Sequence, residues 1–169
     1  MRKWATFAIA TTLTLATAGI WAQAKIAVVD TMKVANDSKE GKKIQATLKA
    51  FHDQKQSEIT TRESDLKALE EKSKDPKISD DKKEEIKSQF NQKMYEYQAF
   101  AKAAQDEMES RSQKMQADFQ QKLSGVIDKF AQSKGYSLVV EKGICLYNAD
   151  ALDITDDIIA AMNQAYPGT

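Results

Sequence analysis

The chain is poor in the residues that most chemistry requires. It has one cysteine, Cys145, and one histidine, His52, among 169 residues. An intramolecular disulfide is therefore excluded, and no second His or Cys stands by for a metal. His52 sits beside Phe51 among Lys and Gln, the setting of a solvated helix residue and not of a general base. Gly41, Gly125, Gly135 and Gly143 are isolated, so no glycine-rich phosphate loop is present. Charge is balanced at 25 Lys/Arg against 25 Asp/Glu, which gives no basis for nucleic-acid binding by counter-ion release. Paired carboxylates such as Glu70-Glu71, Asp80-Asp81 and Glu84-Glu85 read as solvated helix faces. Catalytic residues, metal ligands and cofactors are all expected to be absent. The reading is of a protein that is not an enzyme.

Long apolar runs are also missing. The one uncharged stretch, Ala5 to Ile20, is sixteen residues, short of the ~20 that a membrane span needs. Arg2 and Lys3 precede it and Ala22-Gln23-Ala24 follows, the order of a secretory signal with a small-residue cleavage site. Residues 1–24 are read as a signal peptide cut after Ala24, and the mature protein as exported and soluble. Losing Arg2 and Lys3 leaves 23 positive against 25 negative groups. Residues 38–134 carry 20 positive and 18 negative groups. The helical part is thus slightly basic and the remainder acidic.

What is abundant is Lys, Glu, Gln, Ser and Ala with sparse apolar positions, a composition that favours long exposed helix. Asp37 or Ser38 can cap a first helix whose stripe is Ile44, Leu48, Phe51, Ile59, Leu66 and Leu69, with Lys55 and Arg62 on the skipped stations. The pattern stops at Asp75-Pro76, where proline blocks continuation. Ser79 with Asp80 and Asp81 opens a second helix, striped by Ile86, Phe90, Met94, Tyr97, Ala101, Ala104, Met108, Met115, Phe119, Leu123, Val126 or Ile127, and Phe130. From Met94 to Met115 the spacing approaches a heptad, with Arg111 on the seam. Gly135 is placed to end it. Each helix has one narrow apolar seam, so the two should fold back on each other at a tip near 75–79. The second is longer and must run beside something else.

That something is a scrap of sheet. Lys25–Asp30 reads as a strand, with Asp30 or Thr31 capping a short helix through Val34. Leu138–Val140 and Ile144–Tyr147 flank Glu141-Lys142-Gly143 and read as a tight hairpin. Thr155-Asp156-Asp157 caps a last helix carrying Ile158, Ile159 and Met162. The expected fold is mainly α with a small β body: residues 25–37 and 135–169 form the body, and residues 38–134 a long antiparallel coiled-coil hairpin, or arm, rooted in it. Three short strands are barely stable alone, so copies of the chain should complete the sheet. Ile26, Val28, Leu138, Val140, Ile144 and Leu146 are the candidates for that assembly. Cys145 is either a buried inert thiol or the site of a disulfide between chains.

KIAVVDTMKVANDSKEGKKIQ (25–45), a charged helical hairpin, and GYSLVVEKGICLYNADALDITDDIIAAMN (135–163) resemble the Skp/OmpH family of periplasmic chaperones across essentially the whole mature chain. The resemblance implies a homotrimer in which a β body holds three helical arms around a cavity that receives unfolded outer-membrane proteins without ATP. It also brings lipopolysaccharide or the membrane surface as a further partner, although no basic cluster here falls on matching positions. The near-neutral charge departs from the strongly basic members of the family. Tyr95, Phe100, Met108 and Met115 are the candidates for client contact, because flexible Met and aromatic side chains repack against varied partners. Tyr95 and Phe100 could instead pack on the outgoing helix near Ile59. A structural coiled-coil spacer of the envelope is the alternative function. A lipid-binding amphipathic protein would need a broader apolar face and a strongly basic polar one.

Overall fold

The computed structural model describes residues 24–168. The signal-peptide reading, with its site at Ala22-Gln23-Ala24, therefore falls almost entirely outside the described residues. Strand β1 (Ile26–Val29) leads into helix α1 (Thr31–Asp37), then α2 (Lys39–Ser73), α3 (Asp80–Lys134), strand β2 (Leu138–Glu141) and helix α4 (Thr155–Ala165). Local chemistry sets most of these limits. Asp30 caps α1 by accepting the Lys33 N–H at 2.8 Å. Ser38, extended at ψ 152°, separates α1 from α2 and accepts the Gly41 N–H at 3.1 Å. At the tip, the Asp75 carboxylate accepts the Lys77 N–H at 2.9 Å; this side-chain turn and Pro76 reverse the chain. Gly135 ends α3 at φ 70°, where its N–H and that of Tyr136 turn back to the carbonyls of Gln132 and Ala131. Only glycine adopts that conformation without a Cβ penalty.

Helix α2 has 35 residues and α3 has 55, about 52 Å and about 82 Å at 1.5 Å per residue. The two pack along the length of α2. The surplus of α3 continues into the body, where Phe119, Leu123 and Val126 meet Ala27, Val29, Val34, Ile154, Ile158 and Met162 in one buried cluster. Val34, Ile158 and Met162 are wholly buried, each worth roughly 1.5–3 kcal/mol of transfer free energy. Helix α4 lies across this cluster and also holds the arm: the Asn163 side-chain oxygen accepts the Lys39 N–H at 2.7 Å, a free donor in the first turn of α2.

The sheet differs from expectation. Strands β1 and β2 pair in parallel, with Ile26 opposite Leu138 and Val29 opposite Glu141, and Ile144–Tyr147 forms no third strand. The expected hairpin is replaced by a short 3₁₀ turn, Lys142–Ile144, closed by the Cys145 N–H donating to the Lys142 carbonyl at 3.0 Å. Glu141 explains the replacement. Its carboxylate accepts the Gly143 N–H and, across the body, the Thr31 N–H. The side chain thereby satisfies one donor of the turn, Gly143, and one free first-turn donor of α1, Thr31. Thr155 is likewise not the cap of α4. The Asp153 carboxylate accepts the Thr155 N–H at 2.9 Å, while the Thr155 hydroxyl accepts the Asp30 N–H at 2.9 Å.

Candidate functional site

The two chain ends are tied by a polar knot behind the sheet. The Asp30 N–H, the Thr155 hydroxyl, the Asp153 carboxylate and the Lys142 ammonium form a continuous chain of contacts, with Lys142 Nζ 2.6 Å from Asp153 Oδ2. Burial alone would push the Asp153 carboxyl up. Lys142 and the two Thr155 donors outweigh it and hold it down at about 2. The same contact raises the Lys142 ammonium above its ordinary value. Next to the knot, Val28 bridges Asp153, and the Ile154 N–H donates to the Val28 carbonyl at 2.9 Å. The Val-Val-Asp and Leu-Asp-Ile-Thr stretches are therefore a single piece of structure that anchors the sheet. Lys25 ties the other end, stacking its ammonium 4.2 Å from the Tyr136 ring while donating to the Lys134 carbonyl.

On this anchored frame one face stays uncovered in the protomer. Period-two alternation turns Ala27 and Val29 into the core, while Ile26 and Leu138 on the opposite face remain 42% and 52% exposed. The segment after β2 continues it, with Ile144 and Tyr147 largely exposed and Leu146 wholly so. Of the six assembly candidates, Ile26, Leu138, Ile144 and Leu146 lie exposed, Val140 is half-buried, and Val28 is buried. Cys145 is half-buried, with its thiol 3.6 Å from the Glu141 carbonyl. Among the described residues, the strand order also leaves one edge of β2 without a partner strand. Unpaired backbone at an edge, beside a run of apolar side chains, invites pairing with another chain.

The arm presents a second kind of surface. Its α2–α3 seam is open in the middle, where a groove of about 520 Å³ is lined by Phe51, Lys55, Ile59, Ala101, Ala104 and Met108. Nearer the root, a groove of about 210 Å³ lies between Ile44, Leu48, Met115 and Phe119. Met108 and Met115 thus line the two grooves. Phe100 packs toward α2 under Arg62, whose guanidinium is 4.3 Å from the ring, and Lys55. Tyr95 is 75% exposed and belongs to neither groove. His52 edges the larger groove, its side chain mostly solvated and 3.4 Å from Asp53.

A family model of outer membrane protein (OmpH-like) sequences matches residues 25–162. This chain belongs to the OmpH-like family. The OmpH-like chain is 26% identical over 166 residues, 97% of its length and 99% of the relative's, to a Skp-like protein of Pseudomonas aeruginosa strain PAO1. Its fold is similar to the crystal structure of an OmpH-like protein from Caulobacter crescentus CB15 described as an outer membrane chaperone. That match has a TM-score of 0.77 at 23% identity and covers 85% of this chain and 86% of the other. The helical arm on a small β body is the architecture of this OmpH-like fold.

Glu40, Lys122 and Asn163, which help build the site, were not singled out from the sequence. Glu40, nearly buried at the arm root, pairs with Lys122 at 2.6 Å. The Glu40 hydrogen bond raises the Lys122 ammonium above its ordinary value against the opposing effect of burial. Lys55, Arg62 and Arg111 stand on seam stations, and that spacing was the one available signal of their role over Phe51 and Phe100. For Asn163 no local pattern marks the partner, Lys39, which lies over a hundred residues away, whereas Asp153 takes its partners from nearby, Thr155 two residues on and Lys142 eleven back.

Proposed function

We propose that this OmpH-like chain is a periplasmic holdase. Three copies join through the body and hold unfolded outer-membrane β-barrel proteins between their arms, with no nucleotide and no catalytic step. The observation that carries this reading is the pairing of two surfaces in one protomer. An apolar body face with a free strand edge suits self-association. An arm about 52 Å long, the length of α2, keeps its methionine-lined seam open instead of packing it shut. A spacer rod has no use for an open seam. Arms rooted in a rigid body supply many weak contacts that add through effective concentration, so no single tight site is needed. The outer-membrane chaperone description of the Caulobacter relative and the Skp-like name of the Pseudomonas relative agree with the reading.

The test is an arm-shortened variant, trimmed symmetrically about Pro76 and rejoined with the same tip. It should keep the oligomer of the full chain and lose the ability to suppress light scattering when a urea-unfolded outer-membrane protein is diluted. Full suppression by the shortened protein refutes holding by the arms. Failure of the full-length protein to suppress scattering at all leaves the spacer as the function.

A further inference from the structure

We infer that the middle of the arm, not its root, is where the two helices part most readily, and that a clamp of charges and rings around Glu107 sets how readily. The packing along the seam motivates this. Near the tip Leu66 and Ile86 are buried, and near the root Phe119, Leu123 and Val126 are buried. Between them only Ala104, a single methyl, is buried, and the groove of about 520 Å³ opens beside it. In place of apolar packing, Arg111 of α3 lies 4.2 Å from the Phe51 ring of α2. Lys55 of α2 stands 5.2 Å from Phe51 and 5.4 Å from Phe100, and Arg62 of α2 covers Phe100 from 4.3 Å. Glu107 joins the cations, 2.7 Å from Arg111 and 3.3 Å from Lys55.

Such contacts hold the helices in register without excluding water. Cation–ring and partly exposed ion pairs are each worth little and are weakened by salt. A buried apolar seam is not. Where the seam opens, each helix stands alone, and isolated helical segments are marginal in water. A smaller groove of about 290 Å³ lies near the tip beside Leu69, Ile86 and Phe90, but there Leu66 and Ile86 are buried in the seam. The arm then has a stiff root and a middle whose opening responds to ionic strength.

Hydrogen exchange with mass readout on the full-length protein, with no client present, tests this apart from the holdase reading. Amides in 48–62 and 97–112 should exchange roughly tenfold or more faster than those in 115–127, as local opening predicts. Raising salt from about 0.01 to about 1 M cuts the screening length from roughly 30 to 3 Å and should speed the middle roughly two- to fivefold relative to the root. Glu107→Gln keeps the size of the side chain and removes its charge. At low salt it should bring the middle to the rate that the parent protein reaches at high salt, with little further response. Equal protection of middle and root overturns the inference, as does a salt response shared by both. An undiminished salt response in E107Q removes the clamp from it.

Discussion

Replacing Gly41 with alanine isolates how the arm is seated on the body. Gly41 lies in the first turn of α2, where Ser38 alone separates that helix from α1. A Cβ built there would sit 1.8 Å from the Ala35 carbonyl oxygen and 2.7 Å from its carbon, well inside the 3.0 Å below which real Cβ atoms essentially never approach. Both obstructing atoms are backbone, so no side-chain rotation relieves the clash. Helix α2 must move by more than an ångström relative to α1. That shift works against the Ser38–Gly41 cap at 3.1 Å, the Asn163–Lys39 bond at 2.7 Å and the Glu40–Lys122 pair at 2.6 Å. Overpacking costs about 1–3 kcal/mol and a weakened cap about 1 kcal/mol. The better helix propensity of alanine returns up to about 1 kcal/mol. The net expectation is a loss of about 1–3 kcal/mol, read as a lower urea midpoint at fixed protein concentration and unchanged slope. Gly125→Ala is the internal control: nothing lies within 4 Å of its built Cβ, so it should be neutral or stabilising by up to about 1 kcal/mol. A Gly41→Ala protein as stable as the parent would show that the close approach at the arm root does not govern stability.

The Asp153 carboxyl, held at about 2 in the folded chain against 3.8 ordinarily, contributes stability that is fully present above about pH 4–5 and is lost as pH falls through 2. The ratio of those constants corresponds to about 2 kcal/mol, somewhat less for a side chain that is 23% exposed. Asp153→Asn should flatten the acid limb of the unfolding midpoint against pH, and an unchanged limb would refute the assignment. Leu146, fully exposed in the protomer, should accept Leu146→Asp with no loss of helical circular dichroism while sedimentation at micromolar concentration shifts from trimer to monomer. A trimer that persists would place the assembly face elsewhere. Holding of clients should weaken only slightly with salt, given the near-balanced charge of residues 38–134; a steep salt dependence of client affinity would point to electrostatic capture. Protein exported from a chain starting at Met1 should begin at Lys25, and terminal mass analysis that finds another start would refute the cleavage reading.

Much of the fold was legible because it rests on short-range chemistry. Asp30 and Ser38 as caps, the break at Pro76, the stop at Gly135 and the surplus length of the returning helix each follow from a residue and its neighbours a few positions away. The hairpin over 138–147 was the failure. Leu138-Val139-Val140 and Ile144-Cys145-Leu146-Tyr147 have strand composition, but composition does not say which backbone a strand pairs with. Here β2 takes β1, more than a hundred residues earlier, as its partner, and Glu141 spends its carboxylate on the turn. The apolar character of Ile144, Leu146 and Tyr147 was read correctly and its place was not: these side chains form an exposed face and no local sheet.

The amino-acid order by itself determined the long amphipathic helices, their narrow seams, their reversal and the meeting of both chain ends, because periodicity and capping act over one or two turns. The tertiary structure alone decided what each seam position faces. Lys55, Arg62 and Arg111 look like interruptions of an apolar stripe until Phe51 and Phe100 are brought beneath them from the opposite helix. Gly41 looks like a weak point in a helix until Ala35 arrives within van der Waals contact of it. Asp153 acquires its depressed pKa only when Lys142 and Thr155 close around it. Each of these depends on distance through space between groups that the chain separates, and it is the packing of α1, α2, α3 and α4 around β1 that sets those distances.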